Sequence, residues 1–272
     1  MLDDSSQCDP MQRARGEAEV VFGPNGVRHL YQQGCAKALL PRSFDSPLPQ
    51  AVFINTSGGI TGGDKLRFMA GVEQDGQLTV TTQAAERIYR SSGGHGAVLN
   101  KLTVAQGGRL EWLPQETILF DGGQLKRQLN AELDEKATLL AAETIVLGRK
   151  AMGETLKAVS MTDSWRISRG GRLIFADTIR LETDMLAELA NRATLNNHRC
   201  FTTIVYVGQD AETRIDTARG LLPDGEVEAA ASAWNNMLHV RFLAPDLQPL
   251  KAAIMVFLEQ FRGQPLPRVW YM

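Results

Sequence analysis

Nothing in this chain points to a disulfide scaffold. It has three cysteines, Cys8, Cys35 and Cys200, widely spaced and odd in number, which is the usage of a reducing compartment. It also lacks an excess of charge of either sign. The 29 basic and 31 acidic side chains leave a formal charge of −2, which excludes a nucleic-acid binder that works through a basic face and a polybasic membrane anchor. No run approaches the roughly 18 uninterrupted apolar residues that a spanning helix needs. The opening residues, with Asp3, Asp4 and Asp9, lack the basic start and apolar stretch of a secretory signal. These absences together predict a cytoplasmic protein. What is present, 43% hydrophobic and 22% charged residues over 272 positions, is the composition of a globular chain large enough to bury a core.

The dominant period after the first 15 residues is two. Ala18, Val20 and Phe22 alternate with Glu17, Glu19 and Val21, and the run stops at the turn signal Gly23-Pro24-Asn25-Gly26. Similar runs recur at Gln77 to Thr82, Ala97 to Val104, Leu110 to Leu113, Thr117 to Phe120, Arg127 to Leu133 and Thr138 to Leu147. They continue at Ser164 to Ser168, Arg172 to Leu181 and Cys200 to Val207, with Gly pairs such as Gly107-Gly108, Gly122-Gly123 and Gly170-Gly171 between them. Short strands at about 10-residue spacing predict a mainly β body. Helices are expected late. Asp246 precedes Leu247, Leu250, Ile254, Phe257 and Phe261, one apolar face closed by Gly263. Asp210 is placed to cap a second helix with Ala211, Ile215, Ala218 and Leu222 on its face, and a weaker helical stretch covers Asp184 to Leu189. No linker or repeat divides the chain. The expectation is a disordered tail over residues 1–15 and a single β-rich domain over 16–272.

Two polar stretches could carry chemistry. In Asn55-Thr56-Ser57-Gly58-Gly59-Ile60-Thr61-Gly62-Gly63-Asp64 the glycines follow an apolar strand. A phosphate loop would end in Gly-Lys-Ser/Thr and open a helix, whereas here Asp64 and strand-like residues follow. Tight turns needing positive φ or close backbone approach explain the glycines. The second stretch, Gln83 through Tyr89-Arg90-Ser91-Ser92-Gly93-Gly94 and His95, has hydroxyls and charge but no nucleophile signature. Metal motifs are missing too: there is neither Cys-x-x-Cys nor His-Glu-x-x-His, and only His198 and Cys200 lie close together. Scattered carboxylates remain, Asp64, Glu86, Glu143 and Asp177. Glu143 and Asp177 interrupt apolar runs, where a carboxylate is costly unless hydrogen-bonded, hydrated or facing a cation. A solvent-facing placement is the alternative.

In order along the chain, Ser57-Gly58-Gly59-Ile60-Thr61-Gly62-Gly63-Asp64, Gln83 through Gly93, Glu111-Trp112-Leu113-Pro114-Gln115-Glu116-Thr117-Ile118-Leu119-Phe120, Leu147-Gly148-Arg149 with Gly153-Glu154, and Leu266-Pro267-Arg268-Val269-Trp270 resemble the urease accessory protein family UreD, also called UreH. The resemblance spans about Glu17 to Met272 and is weakest over Thr183 to Arg199. It implies an elongated, β-helix-like body of stacked sheets with about two late α-helices, a choice the strand pattern alone leaves open between sandwich, barrel and β-helix. It further implies a noncatalytic scaffold that assembles with UreF and, through it, the GTPase UreG on apo-urease. No cofactor would be tightly bound. Nickel would pass in transit through an internal channel, and Asp64, Glu86, Glu143 and Asp177 are the candidate oxygen donors along it. The competing reading is a β-rich hydrolase or metal enzyme whose Gly-rich polar loops form an active site.

Overall fold

Alternation gives every strand one face to bury, and this chain buries those faces by winding. The computed structural model describes residues 12–42 and 48–272. A hairpin of β1 (Arg15–Gly23) and β2 (Gly26–Gly34) leads into β3 (Ala36–Leu39). Coils then follow through β4 (Gln50–Asn55), β5 (Lys65–Val72), β6 (Gln77–Thr82), β7 (Glu86–Ile88), β8 (Gly96–Val104), β9 (Arg109–Leu113), β10 (Thr117–Leu119), β11 (Gln124–Leu133), β12 (Thr138–Leu147) and β13 (Ser160–Arg169). The chain ends with β14 (Arg172–Glu182), β15 (Cys200–Val207), α1 (Ile215–Gly220), β16 (Glu228–Trp234), β17 (Met237–Ala244) and α2 (Leu247–Arg262).

The strands form two main sheets, between which the chain passes back and forth as it winds through the coils. The first sheet has the order β14-β13-β11-β8-β5-β1-β2, and the second β16-β17-β15-β12-β9-β6-β4-β3. Within the coils all neighbours are parallel: β1, β5, β8, β11 and β13 in one sheet, and β4, β6, β9 and β12 in the other. A narrow third side is made by β7 and β10, which pair in parallel with each other and with the end of β12. The outcome is the solenoid-like stack of coils that the family resemblance implies.

The tail expected over 1–15 lies outside the described residues up to residue 11. Beyond that the chain already belongs to the body: the Ala14 amide donates to Asp64 Oδ1 at 2.8 Å, and β1 begins at Arg15. α2 runs as the apolar spacing predicts, with Leu250, Ile254, Phe257 and Phe261 buried and Gly263 closing it at φ 70°. Asp246 stands at the N-cap position but makes no capping bond; its carboxylate pairs with Lys150 instead. The helix expected from Asp210 is shorter than its pattern. Asp210 Oδ1 accepts the Tyr206 hydroxyl at 2.6 Å, residues 209–214 form turns, and the α-helix itself spans Ile215–Gly220. The stretch Thr183–Ala190 is a 3-10 segment with no buried residue. Among the described residues no helix is long and apolar enough to cross a membrane.

Two cores result. Residues such as Phe53, Leu66, Leu102, Leu129, Leu139 and Ile167 fill the space between the sheets. The outer face of the second sheet, with Leu140, Ile204, Val240 and Phe242, is covered by α2 and the closing segment around Trp270. β12 is buried on both faces for this reason, which explains the consecutive apolar residues on either side of Glu143 and Thr144. Its Glu143 shares a face with Leu139, Ala141 and Ile145 and therefore points between the sheets.

Glu111 of β9 fastens α2 to the outer face. It is fully buried; Oε2 accepts from Arg262 Nη2 at 2.6 Å and Thr79 Oγ1 at 2.7 Å, and Oε1 from Arg109 Nη2 at 2.6 Å. Burial alone would push this carboxyl up, but the charges of Arg262 and Arg109 outweigh it and hold it below the usual range. Its stabilisation is therefore present above the unfolded value near pH 4.3 and is lost as pH falls through the lowered folded value. Glu111→Gln is expected to cost about 3–5 kcal/mol near neutrality, since it leaves Arg262 buried without its counter-charge. In urea unfolding the gap between variant and wild type should narrow steadily as the pH is taken below about 4.

Candidate functional site

The coils set one residue over its counterpart one coil on, and the third side shows this most directly. Ile60 bridges Ile88, Ile88 pairs with Leu119, and Leu119 with Leu147. All four are buried. The turn that follows each rung carries one of the polar stretches singled out in the sequence: Thr61-Gly62, Tyr89-Arg90, Phe120-Asp121 and Gly148-Arg149. These turns stack along one edge. Tyr89 packs edge-on against Phe120 with ring centroids 5.2 Å apart, and the Arg149 guanidinium lies 4.2 Å above the Phe120 ring. Arg90 pairs with Asp121, and Arg149 with Glu154 at 2.8 Å.

The Gly-rich stretch is the first of these turns, and close packing accounts for it. A Cβ on Gly62 would meet Ser91 Oγ at 2.1 Å and the Gly93 carbonyl at 2.3 Å. The Ile60 amide donates to the Arg87 carbonyl at 2.7 Å, and the Tyr89 hydroxyl to the Gly58 carbonyl at 3.2 Å. Asp64 closes the turn from beneath, with Oδ2 accepting the Thr61 amide and Oδ1 the Ala14 amide, both at 2.8 Å.

Beside this edge a cavity of about 170 Å³ opens between the two sheets and the third side, room for several waters. β5, β8 and β11 supply Phe68, Asn100 and Arg127; β4 and β9 supply Asn55 and Trp112; Glu86, Gln115 and Thr117 complete the polar lining. Glu86 sits where the lining reaches the exposed residues Gln83 and Arg87, its carboxylate held by Asn55 Nδ2 at 3.1 and 3.2 Å. Deeper in, Glu143 Oε1 accepts from Trp112 Nε1 at 3.0 Å and Asn100 Nδ2 at 3.1 Å. Arg127 makes a two-pronged bond to Asp163 at 2.9 and 2.7 Å, donates to Thr117 Oγ1 at 3.0 Å, and brings Nη2 to 2.9 Å from Glu143 Oε2. That last contact is a charge contact without hydrogen-bond alignment, so Glu143 Oε2 is left without a hydrogen-bond partner, as are Asn100 Oδ1 and Gln115 Nε2. Burial pushes both Glu86 and Glu143 up to about 7, against Asn55 at the first and against Arg127 at the second. Asp163 adds to the rise at Glu143.

The four carboxylates expected along one path are therefore not brought together. Glu86 lines the cavity, and Glu143 stands behind Asn100, Trp112 and Arg127 in its wall. Asp64 is spent on backbone amides. Asp177 lies on the edge strand β14, paired with Arg241 and partly open to solvent. An interrupted apolar run does not distinguish a carboxylate facing a core from one on an edge strand. Asn100, Arg127 and Asp163 escaped notice, although the period-two signal was there: each sits in phase with the apolar face, as in Leu125, Arg127, Leu129, Ala131 and Leu133.

The remaining candidates for chemistry are satisfied within the fold. Cys200 is buried and its thiol is pushed up to about 12, chiefly by burial, so it offers no thiolate. His198 bonds to Glu228 at 3.0 Å. No group of three His, Cys, Asp or Glu able to hold a metal ion occurs among the described residues. His95 does reach Ser160 Oγ at 3.0 Å, but the serine hydroxyl also bonds to Glu182, whose carboxyl it helps hold down.

The fold is a body of stacked parallel coils around a polar-lined internal cavity, with loops that recur along one edge. The sequence pattern described as "UreD urease accessory protein" matches residues 14–271. Urease accessory protein UreD of Dinoroseobacter shibae is 45% identical over 96% of this chain and 94% of its own length. That of Jannaschia sp. is 46% identical over 95% and 96%, and UreD 3 of Methylorubrum extorquens 43% over 95% and 90%. The chain belongs to the UreD family of urease accessory proteins, and its role lies in urease maturation.

The raised Glu86 carboxyl generates a prediction. Its folded value of about 7 exceeds the unfolded value, which is near 4.3. The stability that goes with its neutral form is fully present below about pH 4.3 and lost as pH rises toward 7. Thermal unfolding of Glu86→Gln across this window should show a flatter dependence than wild type; identical slopes would mean the carboxylate is fully hydrated at the cavity mouth.

Proposed function

We propose that this chain is a noncatalytic scaffold that assembles with UreF and, through UreF, with UreG on apo-urease, and that nickel crosses its interior cavity on the way to urease. The observation that carries this reading is the buried polar lining with unpaired hydrogen-bonding atoms on Asn100 and Gln115, and the unpaired Glu143 Oε2 in the wall behind it. A hydrated divalent cation inside a protein needs room for part of its water shell, together with oxygen donors that offset desolvation. Glu86 at the mouth and Glu143 with Asn100 Oδ1 within supply those oxygens. Arg127 would repel a cation, but its two-pronged bond to Asp163 commits much of its charge elsewhere. Dispersed oxygens favour transit, because retention would call for clustered soft or imidazole donors. Asp64 and Asp177 belong to the scaffold in this reading. GTP belongs to the partner, since the Gly-rich turn here is packed against Ser91 and Gly93 and offers no cradle.

The test is co-expression with urease and the other accessory proteins. Glu86→Gln and Glu143→Gln are expected to leave co-purification with UreF intact while lowering the nickel content of urease severalfold. Asp177→Asn should lower neither. Full nickel loading in both cavity variants would reduce the cavity to a packing feature, and loss of UreF capture in either would mean that the substitution acts on the fold or the partner surface. The hydrolase alternative predicts turnover by the purified chain that Ser160→Ala abolishes; none is expected.

A further inference from the structure

A stack of coils has ends and edges, and an unpaired strand at an edge presents a row of free N–H and C=O groups. Among the described residues the two main strand orders have four end strands, and three of them are blunted. β3 is four residues long and carries Lys37. β14 is broken by a bulge between Ile167 and Ser168 of its partner and bears Arg172, Asp177, Arg180 and Glu182. β16 carries Glu228 and lies near α1. The fourth edge, β2, is different. It is nine residues long, exposed along almost its whole length, and free of acid, lysine and proline. Val27 and Leu30 are each 45% exposed and Tyr31 39%.

The strand's alternation can be read from its partner. The Cys35 amide donates to the Arg15 carbonyl, and antiparallel pairs exchange bonds at every second residue. Gln33, Tyr31 and His29, opposite Glu17, Glu19 and Val21, therefore turn their backbone groups toward β1. Leu30 and Gln32 turn theirs outward. Leu30 is also the middle residue of β2. We propose that β2 is a self-association edge, at which two copies of this chain pair β2 to β2, antiparallel, about a two-fold axis through Leu30.

In that register Leu30 meets Leu30 of the second copy, His29 meets Tyr31, and Arg28 meets Gln32, so no like charges are opposed. The one strong charge is already drawn off: Arg28 sits at the bulge of the hairpin and pairs with Glu73 at 3.2 Å. An imidazole against a phenol and leucine against leucine are favourable cross-strand pairs. Two seven-stranded sheets would become one continuous sheet, with Val27 and Leu30 covered at the seam. A single strand pair buries little area, so the association is expected to be reversible and concentration-dependent. This inference stands apart from the nickel path and does not depend on it.

The register makes a selective test possible on the full chain. His29 and Tyr31 of the second copy would form a non-hydrogen-bonded pair with Cα atoms about 4.5 Å apart, within disulfide reach. Two copies of residue 29, or two of residue 31, would be diagonal neighbours about 7–8 Å apart and out of reach. Oxidising a mixture of H29C and Y31C chains is therefore expected to give a covalent dimer, whereas either variant alone should show only the wild-type background from the native cysteines. Sedimentation of wild type should show the mass rising from 29.9 kDa toward twice that value with concentration, and Leu30→Lys should abolish the rise. A wild type that stays monomeric throughout overturns the proposal, and so do cross-links that form as readily in the single variants as in the mixture. If removal of residues 1–11 is needed before the dimer forms, the edge belongs to the chain's own N-terminus, and the proposal is likewise overturned.

Discussion

Parallel pairing in register is the constraint on which the rest of this structure depends. Once β5, β8, β11 and β13 pair in parallel, each residue must sit beside its counterpart in the next coil, and an inward side chain in one coil has inward neighbours in the coils on either side. The Ile60, Ile88, Leu119 and Leu147 ladder follows directly. The stacked turns beyond it follow as well, which is why motifs far apart in sequence form one continuous edge. The same rule that aligns apolar residues also aligns polar ones. Asn100, Arg127 and Asp163 occur on adjacent strands of one sheet and face Trp112 and Glu143 on the other, so a buried polar cluster is built from one residue per strand.

Such a cluster is costly, and its arrangement shows where the cost is offset. Arg127 is fully matched by Asp163 and Thr117, and one oxygen of Glu143 by Trp112 and Asn100. The unmatched atoms here are Asn100 Oδ1 and Gln115 Nε2, on residues of the cavity lining, and Glu143 Oε2 behind it. Away from it, Glu111 shows what a closed network looks like: both oxygens are bonded and its carboxyl is held low. Two buried glutamates on adjacent strands of the second sheet, Glu111 and Glu143, thus end in opposite states. One locks a helix, and the other stands in the cavity wall behind Asn100, Trp112 and Arg127. Alternation separates them, since Glu111 points toward α2 and Glu143 toward the first sheet.

The family assignment places the chain in urease maturation, and the side chains that suggest chemistry in the sequence have structural partners. The serine nearest an imidazole is also hydrogen-bonded to a carboxylate, the buried cysteine is held as a thiol, and the glycines that suggest a phosphate loop are needed because Ser91 and Gly93 crowd them. What the fold does provide is a stiff, layered body with a polar interior and a distinct set of edges.

Much of this was decided by local sequence. Period-two alternation determines the strand Gln77–Thr82, β-rich runs determine Thr138–Leu147 and Cys200–Val207, and the spacing from Leu247 to Phe261 determines α2, because each of these signals depends only on neighbours along the chain. The glycine stretch was likewise legible as a tight turn. Tertiary structure decided the rest. Alternation shows that Glu143 and Asp177 interrupt apolar surroundings, but only the order of strands places β12 at the centre of its sheet, burying Glu143, and β14 at an edge, leaving Asp177 to a surface arginine. Local capping preferences favour Asp246 and Asp210 as helix starts, yet Lys150 and Tyr206, distant or on another element, claim their carboxylates. Burial, partner and charge state are properties of what lies across the coil, and no window of sequence contains that neighbour.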